Sequence, residues 1–289
     1  MTKPQRDKFD LYLSYSGRKT YLTCPKQYEN KYVLKTKIPR DPKNSLFGSA
    51  IGKVFEWFYN RSLWKLSDPT TECLNAIPDA IEQVCRKEKF SIDENRQFIS
   101  ELRGKLNEFI PHGVETIRKN QLLSANSRAE VDLSIVSHSK EFGLSVNIGG
   151  YSDFIHTNDN KNFWILDGKA SKYRDQYIDP QQLIWYAVQW YLKYQISPSR
   201  LGFIYWSFPD NPIDWIEFDE DSLRKNHRAT FVVAGNILNN NFPVKVSKEC
   251  KLCDFKDICP EGQEQIKILE LESKTNRLNV IYDPDLIQI

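Results

Sequence analysis

Residues 144–171 read LSVNIGGYSDFIHTNDNKNFWILDGKAS. Two alternating apolar stretches flank a turn-rich HTNDNKN, which predicts a pair of strands joined as a β-hairpin. AEVDLSIVS, at 129–137, alternates in the same way and supplies a strand before them. DPQQLIWYAVQWYLKY follows at 179–194, with Asp179 placed to cap a helix and Pro180 in its first turn. RLGFIYWSF at 200–208 and DWIEF at 214–218 are further strands, and a helix is expected over roughly 220–239. Strands, then a helix, then another strand describe an α/β core in which a small sheet is covered by helices.

Towards the N-terminus the pattern turns helical. SYSGRKTYLTCPKQYENKYV at 14–33 begins with Ser14 and Ser16 as candidate caps. A basic loop runs from Lys35 to Lys43. SLFGSAIGKVFEWFYNRSLW at 45–64 has helical apolar spacing and ends at a polar loop holding Asp68 and Pro69. Two more helices are expected near 78–89 and 94–120. This gives a single domain over 1–289: a mainly helical part at 1–125, a core at 126–210, and a C-terminal part at 211–289 with a cysteine-rich knot and a polar tail.

The 289 residues are 40% hydrophobic and 13% aromatic, enough for a sizeable core and against disorder. Lys and Arg number 40 against 38 Asp and Glu, so an anionic partner has to be met by local clustering of charge. No apolar run is long enough to span a bilayer, and the first residues lack the apolar stretch of a secretory signal. A cytoplasmic protein is expected, with its six cysteines as thiols or metal ligands rather than disulfides. No GxxxxGK[ST] phosphate loop is present.

Asp153 lies on one strand of the hairpin, and Asp167 ends the other, followed by Gly168 and Lys169. Facing residues of a hairpin are direct neighbours, so the two carboxylates are expected to converge on one divalent ion. Oxygen donors suit Mg²⁺ or Mn²⁺. Asp167 and Lys169 share a strand face, which places an ammonium beside the ion. A metal-activated water with cations around the developing charge is what phosphodiester hydrolysis requires. A D-x-K triplet by itself is more often a solvated strand end; the buried-looking WILD strand argues otherwise here. Gln182 and Tyr186, four apart on one helical face, are able to hold a water or a phosphate oxygen, although taken alone Tyr186 reads better as core and Gln182 as an exposed helix residue.

Cys250, Cys253 and Cys259 lie in CKLCDFKDICP, a metal-ligand pattern one thiolate short, and Cys24 before Pro25 is the fourth. The set forms a clasp for zinc or an iron–sulfur cluster; spacing alone does not choose. Cys73 and Cys85 read as buried small hydrophobes. Trp185 and Trp190 read as core.

Together these segments resemble the RecB-like iron–sulfur branch of the PD-(D/E)XK nucleases, typified by the AddB nuclease domain and the CRISPR-associated RecB-like exonucleases. The resemblance rests on SYSGRKTYLTCPKQYENKYV, GSAIGKVFE, GGYSDFI, ILDGK, QLIWY and CKLCDFKDICP, which follow the family's order over nearly the whole chain. It implies a restriction-endonuclease-like core, a small central mixed sheet flanked by helices. It implies a DNA exonuclease acting at ends, on single strands. Asp153, Asp167 and the Gly168 carbonyl would be metal ligands, Lys169 the catalytic lysine, and Gln182 and Tyr186 supporting residues. Cys24, Cys250, Cys253 and Cys259 would hold a 4Fe-4S cluster. The family's first motif carries a histidine where this chain has Gly52; Glu56, one turn on, and Glu130 are the candidates to replace it, and a catalytically impaired protein that binds DNA or assembles with others is the alternative. Arg18, Lys19, Lys26, Lys172 and Arg174 are candidate DNA contacts. The chain shows no helicase motor, so a helicase or another replication or recombination protein is an expected partner.

Overall fold

The computed structural model describes residues 8–39, 41–157, 159, 161–171, 173–174 and 178–281. The strands run in chain order β1 (Leu11–Ser14), β2 (Arg128–Asp132), β3 (Ile135–Ser139), β4 (Leu144–Gly149), β5 (Tyr151–His156), β6 (Trp164–Lys169), β7 (Arg200–Tyr205) and β8 (Ile213–Ile216). The helices are α1 (Tyr15–Thr23), α2 (Pro25–Tyr28), α3 (Lys43–Asn60), α4 (Pro69–Asn75), α5 (Ile77–Glu88), α6 (Arg96–Lys119), α7 (Pro180–Tyr194), α8 (Glu220–Leu238) and α9 (Pro260–Ile281). The chain divides into two compact units, residues 8–12 with 41–231 and residues 13–39 with 232–281. Among the described residues no helix is long and apolar enough to cross a membrane.

The first unit is a mixed α/β body around a five-stranded sheet of order β2-β5-β6-β7-β8. Only β6 and β7 pair in parallel. Parallel neighbours need a crossover, and α7 provides it. Asp179 caps α7 by accepting from the Gln181 backbone N–H, with Pro180 at the first turn as expected. Eight consecutive α7 residues, Leu183 to Trp190, are buried, each large apolar one contributing about 1.5–3 kcal/mol. Trp185 Nε1 donates to the Gly149 carbonyl at 3.2 Å and Gln189 Nε2 to that of Ile148 at 2.8 Å, which satisfies buried backbone oxygens at the end of β4. A second apolar layer comes from α3, α5 and α6, whose Leu46, Val54, Phe58, Ile81, Leu106 and Ile110 pack with Phe154 and Leu166 of the sheet.

Two runs that alternate without a break in the sequence are bent in the structure. AEVDLSIVS splits into β2 and β3, and LSVNIGGYSDFIH into β4 and β5, with the halves in different sheets. The breaks fall together: Leu133 N–H donates to the Gly150 carbonyl at 3.0 Å, and Gly150 N–H to Ser134 Oγ at 3.3 Å. Paired strands thus turn one corner side by side. A Cβ on Gly150 would stand 3.0 Å from the Gln189 amide oxygen, which leaves little room for a side chain there. The polar loop at Asp68–Pro69 is also a helix start: Asp68 caps α4 through the Thr71 N–H.

The second unit brings α1, α2, a π-helical turn at Glu29–Val33, two short 3₁₀ turns at Lys248–Leu252 and Lys256–Ile258, and α9 into one body. Ser14, not Ser16, caps α1. Tyr21 donates its hydroxyl to the Asn241 carbonyl at 2.6 Å, Tyr28 stacks on Phe242, and Lys245 Nζ reaches the Leu22 carbonyl at 2.8 Å. The segment expected as a polar tail is helical as α9 to Ile281.

Candidate active site

The hairpin register decides where the acids meet. Phe154 faces Leu166, Ile155 faces Ile165 and His156 faces Trp164. One further step sets Asp153 opposite Asp167, on one face of the sheet. Gly168 N–H donates to Asp153 Oδ2 at 3.0 Å. Asp167 is 2% exposed; its carboxylate is ion-paired with Lys169 and accepts from Gln182 Nε2 at 2.8 Å. The same amide donates to the Tyr186 hydroxyl at 3.1 Å. The start of α7, fixed by the Asp179 cap, therefore carries Gln182 and Tyr186 to the carboxylates at the end of β6. His156 lies on the other strand face, buried against Ser127 Oγ.

Burial and mutual repulsion set the electrostatics. Asp153 is held well above the usual carboxylate range, first by burial and then by the Asp167 charge, with the Gly168 N–H opposing. Burial also raises Asp167, against the pull of Lys169. Burial raises Tyr186, so its phenol stays protonated and available as a donor. Two buried carboxylates that repel each other lose that penalty when a cation sits between them.

A cavity of about 660 Å³ opens beside this pair, lined by Glu56, Glu130, Asp153 and Gly168 among others. Glu130 follows the β2–β5 register into the place opposite Asp153, between the pairs Ala129–Phe154 and Val131–Ser152. Its backbone is left-handed, φ 51°, a conformation that costs a non-glycine residue on the order of 1–3 kcal/mol. Burial and the charges of Glu56 and Asp167 raise its carboxyl pKa, while Lys53 and Lys87 lower it. Glu56 is ion-paired with Lys53. Among the described residues no three His, Cys, Asp or Glu side chains are grouped closely enough to hold one metal ion, neither these carboxylates nor the cysteines. The donors present, facing carboxylates and a backbone carbonyl, are nonetheless the hard oxygens that Mg²⁺ and Mn²⁺ take.

The other named residues fall as follows. Arg18, a candidate DNA contact, is 5% exposed. Lys19 is exposed. Lys26 pairs with Glu29 at 2.5 Å. Arg174 is tied to Asp214 at 2.8 Å and to the Asn211 carbonyl, and lies over Tyr205 and Phe208. Lys172 lies outside the described residues. Cys73 and Cys85 are buried, as are Trp185 and Trp190. Sequence reasoning missed Trp206, whose indole is packed so closely on Gly168 that a Cβ there would come 2.9 Å from Nε1. It also missed Lys53 and Lys87; the i, i+3 spacing of Lys53 and Glu56 was the available signal.

In the second unit Cys24, Cys250, Cys253 and Cys259 line one small hollow. Cys24 sits between α1 and α2, and the other three sit on the 3₁₀ turns and the start of α9. Burial raises the Cys253 thiol, and the charges of the other three cysteines raise it further. Burial also raises Cys259, partly offset by the Gly262 N–H.

The pattern that defines the PD-(D/E)XK nuclease superfamily matches residues 12–260, most of the chain. The chain belongs to this superfamily. PD-(D/E)XK proteins are generally nucleases, phosphodiester hydrolases that typically use Mg²⁺ or Mn²⁺. No curated protein matches the chain. Among solved structures, one titled "Crystal structure of SSO0001" is similar at 16% identity over 89% of each chain, with a TM-score of 0.38, a likeness too shallow to carry a functional reading.

Proposed function

We propose that this PD-(D/E)XK protein is a divalent-metal-dependent DNA exonuclease that hydrolyses phosphodiester bonds at DNA ends, on single strands. The reading rests above all on the placement of Asp153 opposite Asp167 with Lys169 paired to the latter. Asp153, Asp167, the Gly168 carbonyl and Glu56 would hold the metal, with Glu130 beside them. Bound there, Mg²⁺ or Mn²⁺ supplies an activated water and neutralises charge on the phosphorane. Lys169 holds its ammonium beside the reacting phosphate, where negative charge grows. Gln182 fixes Asp167 in place through one amide hydrogen and links it to Tyr186. Trp206 packs on Gly168 and lines the same cavity.

Cys24, Cys250, Cys253 and Cys259 are assigned to a structural 4Fe-4S cluster in a cytoplasmic protein that works with a helicase or another replication or recombination partner. Their sharing of one hollow supports this. Protein purified without air should be brown, with iron and sulfide in comparable amounts; a colourless protein with zinc would replace the cluster by a zinc knot.

The test is incubation with end-labelled single- and double-stranded DNA and Mn²⁺, for wild type and Asp167→Ala. Shortening of the single strand from one end, slowed roughly 10³-fold in the variant, is the expected result. One observation favours a second reading, an inactive protein that still binds DNA: Gly52 stands where the resembled motif has its metal-binding histidine. Equal inertness of both proteins, with DNA binding retained, would establish that reading instead.

A further inference from the structure

The strands give the cavity its carboxylates, and the helices give it cations. Lys53 of α3 and Lys87 in the last turn of α5 both line it. The charges of both reach the Glu130 carboxyl inside. Lys53 is half spent on Glu56. Lys87 is exposed and, among the described residues, makes no ion pair within 4 Å. Gly48 and Gly52 of α3 line the same cavity, and a Cβ at either glycine would meet nothing within 4 Å. The space beside the helix is thus open, with cations at its border.

We propose that Lys53 and Lys87 hold a backbone phosphate of the nucleic-acid strand whose scissile bond lies at Asp153 and Asp167. This rests on the nuclease reading and adds the substrate's seat to it. A polyanion brought against four carboxylates needs compensating cations besides the metal, and phosphate contacts of this kind position a strand without reading its bases. Lysine, a compact point charge on a flexible stem, suits such a contact. Neutralising Glu56 engages Lys53; Lys87, exposed on the cavity lining and outside any ion pair among the described residues, keeps its ammonium available to a phosphate.

The test separates binding from cleavage by removing metal. Full-length protein in EDTA is titrated into a short fluorescent single strand over a series of salt concentrations. Lys87→Gln and Lys53→Gln should each weaken binding several-fold and reduce the slope of log K against log[salt] by about 0.7, the value for one lost phosphate contact on a single strand. Lys87→Arg should restore the slope, and Lys105→Gln, on the exposed face of α6, should leave it as in wild type. An unchanged slope in both glutamine variants, while wild type binds, overturns the proposal; if wild type also cleaves with metal, the nuclease reading survives it. Wild type that neither binds nor cleaves any nucleic acid removes both.

Discussion

The two units hold their polar side chains in different ways. In the first, Asp153 and Asp167 are set by the ladder of a hairpin, and Gln182 by a capped helix, so backbone hydrogen bonds already fix the group. In the second, three of the four thiols ride on short 3₁₀ turns and one on the junction of two short helices. Strand ladders position a side chain whatever it binds. Turns of this kind would gain much of their order from the cluster proposed for them, because metal binding and folding would then be one equilibrium. The acids should therefore be needed for chemistry and the thiols for stability.

The largest effects should come from exchanging one residue in each region. Asp153→Asn keeps an acceptor for the Gly168 N–H but removes the charge. Cleavage should fall roughly 10³-fold, while metal-free stability rises. The sign follows from the raised pKa: the folded protein holds a proton on Asp153 that the unfolded chain releases. That contribution is complete below the ordinary carboxylate pKa and is lost as pH rises through the raised value. Urea unfolding in EDTA should thus favour the variant at pH 8 and show the difference closing towards pH 4; a variant less stable at pH 8 contradicts the assignment. Cys250→Ser should do the reverse, losing bound metal and several kcal/mol of stability before it loses chemistry. Full thermal stability in that variant breaks the comparison.

Smaller changes sharpen it. Gly168→Ala would push a methyl against the Trp206 indole and should cost about 1–3 kcal/mol, read by thermal unfolding, with Trp206 fluorescence reporting the shift. Gln182→Ala removes one donor from Asp167 and should lower kcat about tenfold, equivalent to about 1.4 kcal/mol, with KM little changed. An effect on KM alone would place Gln182 at the substrate instead.

Much of the first unit can be read from local pattern. Alternation gives β5, β6 and β7, and Asp179–Pro180 gives the start of α7, because those signals lie within a few residues of what they determine. The placing of Asp153 against Asp167 follows from hairpin pairing once the turn is recognised. The corner at Leu133–Ser134 and Gly150 does not, because the alternation runs straight through it and the hydrogen bonds there join segments distant in sequence, Leu133 to Gly150 and Gln189 to Ile148. The Asp68–Pro69 helix start carried the same signal as Asp179–Pro180 but was followed by too few apolar residues to show a period. Whether Arg18 is covered, or Lys87 lines a cavity, depends on neighbours distant in sequence, and helix-face charge patterns do not distinguish the two.

Glu130 keeps a backbone that glycine would adopt freely, beside a strand partner that repels its charge. A selection for heat resistance alone would recover Glu130→Gly early. Should Glu130 serve the proposed metal site, a selection for both survival at high temperature and intact chemistry would reject it. The strand thus marks a place where hardiness and use pull in opposite directions, and a library at this codon would measure how far.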